Sequence, residues 1–198
     1  AAARGALAGL ELRNADGLLF VRVGAGDARE PRPAAGLARG RFAVPAGGSL
    51  EEFSVAASWH TVVEQWLESR LGAGGSLEID AAARTIVARE AGAPRSQFFW
   101  PATLVERHPD GLVVLQALPA PGGGSRVQRY ACRAKAGAAA RGRPDAAARE
   151  WRAQFDAELA LAVSTEQGYA DPDYAPDVHA VPAPAVAAFR RMAGSPGE

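Results

Sequence analysis

The chain has 198 residues, with 22 basic and 22 acidic side chains, so its formal net charge is zero. That balance excludes a bulk electrostatic binder of nucleic acid or anionic lipid and leaves only a local patch for such a role. The lone Cys132 excludes an internal disulfide and cannot build a thiolate metal site by itself, and no run approaches the roughly 18 apolar residues that cross a bilayer, which predicts a soluble protein or a soluble portion of one.

Residues 6–23 read as a hairpin. Leu10, Leu12, Leu18, Phe20, Val21 and Val23 are strand-like, and Asn14-Ala15-Asp16-Gly17 forms the turn. Residues 24–40 carry Gly, Pro and Arg without periodicity and read as a flexible loop; a short strand follows at 41–44. Ser49 and Glu52 have capping-box spacing, and Ser58 is a second candidate N-cap. Trp59, Val62, Val63, Trp66, Leu67 and Leu71 share one helical face and predict a helix over 59–71, ended by Gly72. Residues 50–57 fit either its first turns or a preceding strand.

Strands are expected at 76–80 and 85–90 around the turn 81–84, and at 98–107 and 112–118 around His108-Pro109-Asp110-Gly111. A further strand over 127–134 places Val127, Arg129, Ala131 and Arg133 on one face. Pro144 and Asp145 suit a helix start. Trp151, Phe155, Leu159 and Val163 then mark a helix to about residue 164, and a shorter helix is expected at 184–192. The pattern predicts an α+β fold, an antiparallel sheet meander with helices packed on it. The expected division is an N-terminal hairpin and loop (1–40), the α+β domain (41–164) and a Pro/Ala-rich tail (165–198).

Reactive residues are scattered. His60 and Glu64 are one helical turn apart, but HTVVE lacks the second His of a metalloprotease helix. There is no nucleophile elbow, and Gly122-Gly123-Gly124-Ser125 lacks the Lys and following helix of a phosphate loop. No catalytic set, cofactor or metal site is therefore expected. The run Phe98-Phe99-Trp100 is unusual, because consecutive strand residues send rings to both faces. With Arg107, Arg129 and Arg133 nearby, it forms a candidate binding surface. Two alternatives stay open: an enzyme site assembled from His60, Glu64, His108 and Asp110, and an Arg- and aromatic-lined surface for a single nucleic-acid strand, which zero net charge disfavours.

Residues 42–90 carry a "VPAGGSL" opening at Val44–Leu50, a helix, a strand ending at Asp80 and a "TIVAR" strand at Thr85–Arg89. This arrangement resembles the small βαββ domains found near secretins and TonB-dependent receptors and in pilus and conjugation machinery. The resemblance implies a non-catalytic interaction module of the bacterial envelope that binds protein partners. It also implies a periplasmic or envelope-associated place, with the cytoplasm as the alternative; the small-residue start Ala1-Ala2-Ala3 is compatible with cleavage after a secretory leader.

Overall fold

The computed structural model describes residues 11–15, 18–22, 42–43, 50–72, 75–108, 111–134, 145–174 and 181–194. A hairpin of β1 (Glu11–Ala15) and β2 (Leu18–Arg22) stands as its own two-stranded sheet. The main sheet has eight strands. They are β3 (Phe42–Ala43), β4 (Leu50–Val55), β5 (Ser76–Asp80), β6 (Thr85–Glu90), β7 (Ala93–Phe99), β8 (Thr103–His108), β9 (Gly111–Pro119) and β10 (Ser125–Ala134). Every pairing is antiparallel, in the order β3-β10-β9-β8-β7-β6-β5, with β4 also on β10. The expected α+β class, a meander carrying helices, is what the chain adopts.

The helices are α1 (Trp59–Trp66), prolonged by a π-helical turn at Leu67–Leu71, then α2 (Asp145–Ala170) and α3 (Pro184–Ala193). Ser58 is the N-cap of α1, its hydroxyl accepting the Thr61 N–H at 3.3 Å. Of the expected Ser49–Glu52 capping box, Ser49 lies outside the described residues and Glu52 lies in β4, paired with Gln128 rather than in a first helical turn. The β4 residues alternate along the strand, and pairing with the long β10 wins over helix extension.

Phe98 and Phe99 end β7, and Trp100-Pro101 lies in the turn before β8, so the strand expected over 98–107 is two strands. Pro101 cannot donate to a ladder, which is why pairing stops there. Pro94 sits where the β6–β7 register shifts between Ala88 and Arg89, a bulge that tolerates the missing N–H.

The main core lies between sheet and helices. Val62, Val63, Trp66, Leu67 and Leu71 meet Ile86, Ala88, Phe98, Leu104, Leu115 and Val127 from the sheet, with Phe155 of α2 and Phe189 of α3. Thr85, Val87, Gln97, Phe99 and Val105 alternate with these and are buried on the opposite face. Strands β6–β8 are thus buried on both sides over part of their length, where Ile86-Val87-Ala88, Phe98-Phe99 and Leu104-Val105 read as short apolar runs rather than clean alternation.

This topology overturns the βαββ resemblance. In a self-contained βαββ unit the first strand would join the hairpin that follows the helix. Here β4 pairs with β10, while β5 and β6 lie at the other end of the sheet with β7, β8 and β9 between. Residues 42–90 are therefore the two margins of one large sheet, joined by a helix that crosses it.

Candidate functional site

The helix–sheet interior holds charge. Arg70 of the π turn is 3% exposed, and Glu106 of β8 and Glu158 of α2 are each 6% exposed. Arg70 donates from Nε and Nη2 to Glu158 Oε2, at 2.8 and 2.6 Å, and from Nη1 to Glu106 Oε2. The other Glu158 oxygen accepts from Ser69 Oγ at 3.0 Å and Gln154 Nε2 at 3.2 Å. One guanidinium from the helical layer thus ties α2 to the sheet, with the paired, hydrogen-bonded geometry that buried charge requires.

Trp151 of α2 packs among cations. The Arg70 guanidinium lies 5.1 Å from its ring and the Arg129 guanidinium 4.4 Å. Arg129 also donates to Glu51 Oε2 at 3.1 Å, and that oxygen takes Arg152 at 3.2 Å. Trp151 stacks on Phe155, and Phe155 meets Phe53 edge-on. Two further interior groups, Trp66 Nε1 and Ser96 Oγ, are buried without a hydrogen-bond partner. Ser96 is the cross-strand partner of Glu106 and alternates with Phe98, so it belongs to the helix-facing layer, as Trp66 does.

At the start of α1, Glu166 Oε2 accepts the Ser58 N–H at 3.1 Å and the Thr61 hydroxyl. Burial alone would raise its pKa, but the bonds from Thr61 and Ser58, with the charge of His60, hold it below the usual carboxylate value. Trp59 and Trp100 flank Phe189, at 6.2 and 5.4 Å between ring centroids. The half-buried Glu64 takes a two-pronged bond from Arg190 at 2.8 and 2.6 Å.

The residues singled out from the sequence are dispersed. Phe98 and Phe99 are each 1% exposed and belong to the two opposite faces of the sheet, so neither offers a stacking surface to a nucleic acid. Trp100 is half-buried, Arg107 is exposed, and Arg129 is occupied by Glu51 and Trp151. Arg133 pairs with Gly111 in the β9–β10 ladder, and its side chain lies outside the described residues. His60 lies at the Trp100 end of the sheet, its ring against Trp59 and Phe189. His108 closes β8, about 17 Å along the strand from Thr103. Ten helical residues, about 15 Å, likewise separate His60 from Arg70, which reaches Glu106 beside that far end. His60 packs on Trp59 and Phe189 while Glu64 is bound by Arg190; the His108 side chain and Asp110 lie outside the described residues.

Arg70, Glu106 and Glu158 escaped the sequence reading, although a signal existed. Arg70 falls four residues after Trp66 on the apolar stripe of the first helix, Glu158 seven after Trp151 on the stripe of α2, and Glu106 two after Leu104 on the inward face of β8. A charge in phase with the core residues is the mark of a buried ionic group.

No protein-family model and no curated protein matches the chain. Solved structures do match it in fold. The apo form of a quaternary ammonium Rieske monooxygenase, CntA, superposes with a TM-score of 0.64 at 13% identity, over 93% of this chain and 59% of that one. The same enzyme with L-carnitine gives 0.60 at 12% identity, over 93% and 59%. The terminal oxygenase of carbazole 1,9a-dioxygenase from Nocardioides aromaticivorans IC177 gives 0.51 at 12% identity, over 93% and 66%. The chain spans about three-fifths of the length of the CntA chains it matches.

These neighbours are oxygenases, so the secretin and TonB-receptor resemblance is corrected, and with it the non-catalytic envelope, pilus, secretion or conjugation role and the periplasmic placement drawn from it. No described helix is long and apolar enough to cross a membrane. The residues present do not fit the Rieske cluster of such enzymes, and the described ones group no ligands for an iron ion. A Rieske cluster takes two cysteines and two histidines, and these 198 residues contain one cysteine. A non-haem iron takes two histidines and a carboxylate. The His108 side chain and all of His179 lie outside the described residues, and among the described residues no three His, Cys, Asp or Glu side chains are grouped to hold such an ion.

Proposed function

We propose that this chain is a substrate-holding domain of an oxygenase system, receiving a small organic molecule between α1 and the sheet. The observation that carries this reading is the fold likeness over 93% of the chain to an oxygenase that also superposes in its L-carnitine complex. The interior adds support. Trp66 Nε1 is a buried donor without a partner, and Ser96 Oγ is a second unsatisfied group on the same layer. A buried polar group left alone costs about 1–3 kcal/mol, so an acceptor reaching that layer would be stabilised there.

The test is ligand binding by the purified chain. L-carnitine, γ-butyrobetaine and carbazole represent the acceptor-bearing cations and flat heteroaromatics named for the structural neighbours. Calorimetry and thermal shift against these and simple analogues are expected to reveal saturable binding by at least one member. Trp66→Phe, which removes the N–H and keeps an aromatic ring, is expected to weaken that binding. Absence of saturable binding across the panel, or full affinity in both Trp66→Phe and Ser96→Ala, would reject the reading.

A further inference from the structure

We infer that the position between Glu106 and Glu158 takes no iron and that the Arg70 guanidinium serves there as the permanent cation. The inference rests on the oxygenase reading only for the choice of iron as the metal to be tested.

Two carboxylates more than nine-tenths buried, one on β8 and one on α2, converge on a single position. Brought together without a cation they would repel and take up protons, and the layers carrying them would separate. A divalent metal or a basic side chain can fill that position, and here Arg70 does. It is delivered by the π turn, where the widened helical spacing still leaves Arg70 on the buried side beside Leu67 and Leu71.

The surroundings favour the guanidinium over a metal. Ser69 and Gln154 donate to Glu158, and both would be poor replacements for imidazole at a transition metal. The backbone carbonyl of Arg70 accepts from Arg95 Nη2 at 3.2 Å, which fixes the end of the turn against β7. The Trp151 ring near the guanidinium is a further cation partner and offers a metal no ligand atom. A guanidinium stays charged throughout the accessible pH range and is indifferent to chelators and redox state. The link between helices and sheet therefore does not depend on metal supply.

The full chain is to be produced in iron-supplemented medium, its metal content measured by mass spectrometry, and its thermal midpoint recorded with and without EDTA. Substoichiometric iron and an unchanged midpoint are expected. One iron per chain, or a midpoint lowered by the chelator, would overturn the inference while leaving the substrate-holding reading intact; an empty ligand panel would do the reverse. Arg70→Ala exposes the carboxylate pair, so Mn²⁺ is expected to raise the midpoint of this variant and not that of the wild type. Adding Glu106→Gln to Arg70→Ala is expected to abolish the response. Should Arg70→Ala not fold, expression with Mn²⁺ is expected to recover soluble protein. No Mn²⁺ effect on either stability or recovery would count against the role given to Arg70.

Discussion

Glu166, near the C-terminal end of α2, accepts the backbone N–H of Ser58, the residue that caps α1. A carboxylate from one helix thus completes the N-terminus of another, where unpaired N–H groups and the helix dipole favour negative charge. Burial raises the Glu166 pKa, but the bonds from Thr61 and Ser58 outweigh it and leave the folded value below the ordinary 4.5. The unfolded chain therefore binds this proton more readily. The bond's contribution is complete above pH 4.5 and is lost as pH falls through the depressed folded value. Glu166→Gln is expected to flatten the stability–pH curve in that acidic window, as read by urea unfolding at several pH values. An acid limb unchanged from wild type would refute the role of the carboxylate.

Arg70 is the costlier residue to lose. Removing one partner of a buried ionic group leaves the others uncompensated, typically at about 3–5 kcal/mol. Arg70→Met is expected to destabilise by that order. Arg70→Met combined with Glu106→Gln and Glu158→Leu is expected to recover most of the loss, because the two carboxylates that faced Arg70 are then neutral as well. Chemical denaturation of both variants checks this, and equal instability of the two would contradict it.

The segment after α2 carries a piece of the core. Phe189 of α3 is 1% exposed and lies 5.7 Å, centroid to centroid, from Phe98 at the end of β7. Ala185, Val186 and Ala188 are buried with it, while Arg190 and Arg191 face outward. Truncating a buried Phe to Ala removes both transfer energy and packing, usually about 3–5 kcal/mol. Phe189→Ala is expected to cost that much and to release the amides of α3 to hydrogen exchange. Retained protection would show that α3 is held by something other than this ring.

The helices were legible because their apolar residues recur every three or four positions. Trp59 through Leu71 and Trp151 through Val163 kept that rhythm, and the structure carries helices there. Order within the sheet was not legible. The choice of β10 as partner for β4 depends on contacts some 75 residues away, and no local pattern encodes it. The break at Trp100 was obscured by burial on both sheet faces, which made Phe98-Phe99-Trp100 look like one continuous strand. The ionic centre was encoded by phase: Arg70, Glu106 and Glu158 each occupy a position where the periodicity calls for an apolar residue. Their convergence belongs to the tertiary fold, since the three residues sit on three separate elements.

Glu64 was paired in the sequence with His60, one turn away, as a possible reactive couple. The structure gives it a different partner, Arg190 of α3, through a two-pronged bond. Its carboxylate raises the Arg190 pKa further above the ordinary arginine value, and burial and Glu64 together raise that of Tyr169. These shifts stabilise an ion pair and make neither group a better acid or base near neutral pH. The Arg190 side chain is 48% exposed and that of Glu64 21%, so solvent screens the attraction. A double-mutant cycle with Glu64→Gln and Arg190→Gln is expected to yield a coupling of about 0.5–1 kcal/mol, the upper part of the exposed-pair range given the forked geometry. At 1 M salt the screening length shrinks to about 3 Å, and the coupling is expected to fall accordingly. A coupling of several kcal/mol that persists in high salt would mean that the pair sits in a far drier setting than its exposure indicates.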